Sequence, residues 1–189
     1  MRWRNVAVQW VTVLALLAIV VVLQLYFPEW TTIESGPRQQ DGNGAYHAID
    51  GDSFSIGKSE IRLHGIDAPE YRQTCRTSSG GSQPCGKLAR DQLSKLIRNA
   101  KLVCRTLEQD RYGRQVSTCK AGDMDINREM VRLGWAIAYR RHSQAYVAAE
   151  REAKSAQRGI WQWQFDVPED YRNRSRNFES GLGGVFKDE

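Results

Sequence analysis

Residues 49–70 read IDGDSFSIGKSEIRLHGIDAPE. Within that stretch Asp50, Asp52, Asp67 and Glu70 carry carboxylates that repel one another if they converge, a cost that a cation or a proton between them removes. Oxygen-only ligands select a hard cation, calcium or magnesium, over zinc. Pro69 drives Ala68 out of the helical region into extended backbone, which can turn the Ala68 carbonyl outward as a further oxygen donor. Arg62, and Arg114 in the later segment DRYGR, offer planar paired donors that suit phosphate oxygens and stay charged at any relevant pH. A metal site, two arginines and a spare carboxylate are together the parts for phosphodiester hydrolysis: a Lewis acid, cationic stabilisers for a pentacoordinate phosphate, and a base for water.

Each residue alone has a plainer reading, the acids as turn or strand-end residues and the arginines as solvated surface. What would bring them together is a β-hairpin: AIDGDSFSI and EIRLHGI are strand-like runs joined by a turn at Gly57, Lys58 and Ser59. The two-residue period puts Ile61 and Leu63 on one face and Arg62 and His64 on the other. If the first strand stayed regular, Asp50, Asp52, Phe54 and Ile56 would share a face, so either Gly51 bulges or the acids sit at the mouth of a barrel. After the hairpin, SQPCGKLARDQLSKLIRNA predicts a helix with Ser82 as cap and Ala89, Leu93, Leu96, Ile97 and Ala100 as its apolar stripe. KLVCRTLEQDRYGRQVSTCKAG predicts two more strands around the DRYGR loop. DINREMVRL with Gly134 behind it predicts a short helix, and SQAYVAAEREAKSAQRG a longer one capped by Ser143 and ended by Gly159. This order predicts an α+β fold: an OB-like five-stranded antiparallel β-barrel with about three α-helices.

The chain of 189 residues holds one domain and some extra length. Residues 6–27 run without a charge, and as a helix they would reach roughly 33 Å at about 1.5 Å per residue. That is enough to cross the hydrocarbon core of a bilayer, about 30 Å thick. The run is longer than the apolar part of a cleaved leader and lacks a good small-x-small cleavage site, so residues 1–30 are read as a single-pass signal anchor rather than a secreted protein's leader. Arg2 and Arg4 before the run, with Glu29 and Glu34 after it, keep the N-terminus cytoplasmic and export the rest to the periplasm or exterior. Residues 31–44 read as a flexible linker and residues 166–189 as a mobile C-terminal tail, with Trp161, Trp163 and Phe165 just before it placed to pack back on the body.

All four cysteines, Cys75, Cys85, Cys104 and Cys119, lie beyond the span at spacings foreign to a zinc site, which fits an oxidising compartment. Of the three possible pairings, Cys75 with Cys85 and Cys104 with Cys119 is favoured, since each closes a short local loop. Net charge is +5, concentrated in the middle of the chain, a balance that suits a polyanionic partner. His47, His64 and His142 have no spacing that pairs them and are read as strand or loop residues.

The ordered segments IDGDSFSI, IRLHGIDAPE, DRYGR and INREMVRLGWAIAY resemble the motifs of the staphylococcal nuclease family over residues 45–161, placing a nuclease-like domain at residues 45–165. The resemblance implies an OB-like barrel with three helices and calcium-dependent cleavage of DNA and RNA to 3′-phosphate ends. Position by position it makes Asp52 and Asp67 the calcium carboxylates, with the carbonyl of Ala68 as a third ligand. It makes Glu70 the general base, Arg62 the bridge to phosphate, and Arg114 the group that stabilises developing charge as the 5′-oxygen leaves. Tyr112 and Tyr139 resemble substrate-contacting positions, and Asp50 stands behind the metal ligands. Ser53 replaces a usual threonine and keeps its hydroxyl, whereas Ala68, often threonine, loses a side-chain oxygen but keeps the carbonyl. The insert between Cys75 and Cys85 resembles exported bacterial members of the family.

The expected partners are a DNA or RNA substrate and, through the N-terminal helix, a membrane; no obligate protein partner is evident. The alternative is a noncatalytic nucleic-acid or protein-binding module on the same barrel. A structural protein with a calcium-stabilised domain would need the acids but have no use for Arg62 and Arg114.

Overall fold

The computed structural model describes residues 46–183 continuously, the strand Gln39–Gly42, and residues 10, 14–19 and 21–22; side chains are described to residue 177. The chain divides into two units, Met1–Gly36 and Pro37–Glu189. In the first, the described positions are helical and exposed. Most of the expected span over residues 6–27 lies outside the described residues, among which no helix is long and apolar enough to cross a membrane.

The second unit begins with β1 (Gln39–Gly42), β2 (Tyr46–Ala48), β3 (Ser53–Ile56), β4 (Ser59–Leu63), β5 (Ile66–Asp67), β6 (Cys75–Arg76) and β7 (Ser82–Gln83). Then come α1 (Cys85–Ile97), β8 (Leu102–Gln109), β9 (Gln115–Ala121), β10 (Met124–Asp125), α2 (Ile126–Arg132) and β11 (Ile137–Ala138). The chain continues through α3 (Val147–Ser155), a 3-10 turn (Gly159–Gln162) and α4 (Pro168–Gly183). The main sheet has the order β1-β8-β9-β4-β3-β2, with β10 against β9; β5 pairs with β11, and β6 with β7.

The α+β class is as expected, but the sheet is larger than five strands and, among the described residues, its ends β1 and β2 do not pair to close a barrel. Nor is it wholly antiparallel, since β4 runs parallel to β9, with Ile61 opposite Gln115 and Arg62 opposite Val116. Local hydrophobic alternation specifies which face of a strand is buried, not which distant strand lies beside it.

The β3–β4 hairpin turns at Gly57 with φ +57°, a left-handed conformation that glycine adopts without strain. Phe54, Ile61 and Leu63 point into the core while Arg62 points out, as the two-residue period requires. Leu93 and Ile97 of α1 are buried in the same core, with Leu96 and Ala100 packed at its margin, and Ala89 is buried on the same helix. Ser82 does not cap α1. It pairs with Arg76 in β7, and the helix starts at Cys85 after Pro84. Likewise α3 begins at Val147; the Ser143 hydroxyl instead accepts from the amide of Ala145 in the preceding turn. Asp125 caps α2 by accepting from the amide of Arg128.

Both expected disulfides are present, Cys75–Cys85 and Cys104–Cys119, with Cα separations of 5.7 and 4.1 Å. A second apolar cluster gathers Cys75, Cys85 and Ile160 with Trp135, Trp161, Trp163 and Phe165. Where the sequence reads as a tail, α4 is helical, its proline-led first turn carrying Glu169 and Asp170 toward the positive end of the helix dipole.

Candidate active site

Close backbone approach puts the first carboxylate in place. A β-carbon on Gly51 would lie 2.7 Å from those of both Ala68 and Ala89, so only glycine lets the Asp52 loop press against the β5 exit and α1. Asp50 then holds the loop: its Oδ1 accepts from the Asp52 amide at 2.9 Å and from the Ser53 hydroxyl at 2.8 Å. Asp52 Oδ2 accepts from the Ala68 amide at 3.2 Å, which ties the two predicted ligand segments together.

Arg62 lies between the two aspartates, its Nη2 at 2.9 Å from Asp52 Oδ2 and 3.2 Å from Asp67 Oδ1. Asp67 is 0% exposed and Asp52 2%. Burial pushes the Asp52 carboxyl well above the ordinary aspartate range; Arg62 opposes that shift, and the neighbouring Asp50 and Asp67 reinforce it. Arg62 is held charged, chiefly by Asp52.

Glu70 sits on the loop after β5, and its position is fixed from behind. Gln73, itself 1% exposed, accepts from the Glu70 amide through Oε1 at 3.2 Å and donates from its own amide to the Glu70 carbonyl at 2.7 Å. The Cys75–Cys85 bridge ties the next segment to the start of α1, where Gly86 donates to the Gln73 carbonyl at 3.1 Å.

A residue that sequence reasoning did not select completes the cluster. Arg172 of α4 reaches Asp67 with both terminal nitrogens, at 2.9 and 3.1 Å, and Glu70 Oε1 at 2.8 Å. Burial disfavours its charge, but Asp67 and Glu70 overcome that and raise its pKa above the ordinary arginine value. Two guanidinium groups therefore interleave with three carboxylates. Among the described residues no group of three or more His, Cys, Asp or Glu side chains is set as a metal cage.

The donor set nonetheless fits a hard cation. Its side-chain donors are all oxygen, and two aspartates are buried beside each other where positive charge is required, a requirement that Arg62 and Arg172 now meet. Asp52, Asp67 and the Ala68 carbonyl are the groups that could hold it.

Arg114 is not in this cluster. It precedes the residue opposite Ile61, and its guanidinium turns to Asp110 Oδ2 at 2.7 Å and toward Glu60 at 3.8 Å. Asp110 Oδ1 also accepts from the amides of Tyr112 and Arg114, at 2.9 and 3.0 Å, so one carboxylate organises the whole loop. Tyr112 is 67% exposed, flanked by the guanidiniums of Arg111 and Arg114 at 5.0 and 5.4 Å from its ring centre. Tyr139 follows β11 and stands near the carboxylates: burial, then Glu169 and more weakly Asp67, push its phenol above the ordinary value. Its ring lies 4.8 Å from that of His142, which in turn is 6.4 Å from His64. The fold thus pairs two histidines that sequence spacing left apart, and burial and His142 lower the pKa of His64.

Residues 60–163 match the family described as Staphylococcal nuclease homologue, more than half of the chain. The chain belongs to the staphylococcal nuclease family. Among curated relatives, the Succinoglycan biosynthesis protein ExoI of Rhizobium meliloti is 34% identical over 124 residues, covering 64% of this chain and 65% of that protein. An Uncharacterized endonuclease of Escherichia coli O157:H7 is 31% identical over 64% of this chain and 76% of its own length. The Probable staphylococcal-like nuclease CAN1 of Oryza sativa subsp. japonica is 31% identical over 59% of this chain and 31% of that protein. The chain thus spans less than two thirds of the length of the Rhizobium and rice relatives. The staphylococcal nuclease family match takes in Arg62, Asp67, Glu70, Arg114 and Tyr139 but stops before α4 and Arg172.

Proposed function

We propose that this protein is a calcium-dependent nuclease that hydrolyses phosphodiester bonds of DNA, RNA or both to 3′-phosphate ends. The observation that carries the reading is the convergence of Asp52, Asp67, Glu70 and Arg62 from three chain segments, in a chain similar to proteins named nuclease and endonuclease.

Glu70 takes a proton from a water that attacks phosphorus, the bond from phosphorus to the 5′-oxygen breaks, and the leaving oxygen takes up a proton from solvent to become the 5′-hydroxyl. Arg62, already fixed by buried carboxylates, grips a phosphate oxygen before and during that displacement. Arg114 exchanges part of its contact with Asp110 for the charge that develops on the phosphoryl group. Tyr112 and Tyr139 bear on the neighbouring nucleotides. Bound calcium supplies Lewis-acid neutralisation of the phosphate charge.

The location follows from different residues. Two disulfides fit an oxidising compartment, and the charge-free run at 6–27 fits a tether, so we assign the nuclease domain to the outer side of a membrane.

One observation favours a second reading: Arg172 already satisfies Asp67 and Glu70, as it would in a noncatalytic nucleic-acid-binding module. Purified full-length chain incubated with single-stranded DNA or RNA, in calcium and in chelator, separates the two. Cleavage in calcium and none in chelator supports the nuclease; binding without cleavage under both conditions supports the module.

A further inference from the structure

We propose that α4 is an autoinhibitory strap whose Arg172 stands in for the divalent cation and must leave before the cation can bind. The inference rests on the nuclease reading above.

Arg172 meets both oxygens of Asp67, a predicted cation ligand, and Glu70, the predicted base. A guanidinium there does two things at once. It supplies the positive charge that a buried carboxylate demands, and it draws the lone pairs of the base away from any water. Arg62 pairs with Asp52 and Asp67, whereas Arg172 engages Glu70 itself together with Asp67.

The segment that carries Arg172 is built to hold it there. Gln164 exchanges two backbone hydrogen bonds with Arg76, at 2.8 and 2.9 Å, anchoring the approach to α4 on the disulfide-braced β6. Gln73, which positions Glu70, donates from Nε2 to the Asp166 carbonyl at 2.7 Å. One buried glutamine therefore sets the distance between the base and the root of the strap. One turn on, Glu169 pairs with Arg141 at 3.1 Å, on the same helix face as Arg172 by its spacing of three. Arg172 itself keeps 28% of its side chain exposed and Glu169 29%, so both grips face water on one side and can be exchanged. The root is held through backbone hydrogen bonds and the buried Gln73, while the grip is made by partly solvated side chains. That combination lets the helix lift without unfolding the domain.

The consequence is an apparent cation affinity reduced by the fraction of molecules whose strap is open. Full-length protein, Arg172→Gln and Arg176→Gln are titrated with calcium alone by calorimetry. Arg176 lies one turn further along α4, and its replacement removes the same charge from the same helix. The strap predicts calcium binding at least about tenfold tighter in Arg172→Gln, with Arg176→Gln unchanged. It also predicts that calcium speeds hydrogen exchange in residues 168–177 of the unmodified chain, a readout that does not depend on the variant folding.

Equal calcium affinity in all three proteins, or calcium binding with exchange in 168–177 unaltered, overturns the strap. If those results come with calcium-dependent cleavage, the nuclease reading stands and the strap alone fails. If no form binds calcium or cleaves nucleic acid, the nuclease reading fails and takes the strap with it.

Discussion

Gly86 stands directly against the carbonyl oxygen of Glu70: a β-carbon at residue 86 would fall 1.7 Å from it. No rotamer relieves that overlap, because both partners are backbone.

Gly86→Ala therefore forces the Glu70 loop away from α1. We expect a loss of about 1–3 kcal/mol in stability, typical of overpacking, together with at least a tenfold fall in turnover. Urea unfolding followed beside a cleavage assay checks both. Unchanged turnover would show that the Glu70 loop does not need this contact.

Asp110 is the second residue whose effect is indirect. Partial burial raises its pKa, but hydrogen bonds from the Arg114 side chain and from the amides of Arg114 and Tyr112 outweigh that and bring it below the ordinary 3.8. A carboxylate depressed in the folded state stabilises it fully above the unfolded value and loses that contribution as pH falls through the folded one. Asp110→Asn should thus be less stable than the unmodified chain near neutral pH, with the gap closing below the ordinary value. Its turnover should fall roughly tenfold, because Arg114 loses its orienting partner. Unfolding curves at pH 7 and pH 3, with cleavage rates at pH 7, test the pair of statements.

Reduction acts on two different parts of the molecule. The Cys104–Cys119 bridge joins directly opposed residues of β8 and β9, whereas Cys75–Cys85 braces the loop behind Glu70. Loops of this size are worth about 2–4 kcal/mol each on removal. Replacing Cys75 and Cys85 by serine should reduce activity more than the same change at Cys104 and Cys119, when both are compared at temperatures where each remains folded. Thermal melts paired with rates decide it.

The sequence made some of this geometry legible, for identifiable reasons. The alternation in EIRLHGI is local, so the outward face of Arg62 could be read from it, and the approach of Asp52 to Asp67 follows once the hairpin closes at Gly57. The disulfides were legible because short loops leave few choices. Arg172 was not, since it meets Asp67 across 105 positions from a segment without apolar periodicity. Gln73 gave no signal either: a neutral amide that bonds Glu70 and Asp166 looks like any other loop glutamine. The β4–β9 pairing and the open sheet depend on register between distant strands, which composition does not encode.

Glu70 is proposed as the base of the hydrolytic site. Glu70→Gln removes a proton acceptor and keeps the side-chain shape, so the protein should fold, bind calcium, and cleave about 10²–10⁴-fold more slowly than the unmodified chain. Cleavage of single-stranded DNA at saturating calcium measures this directly. A folded, calcium-binding Glu70→Gln protein with undiminished turnover would contradict the account.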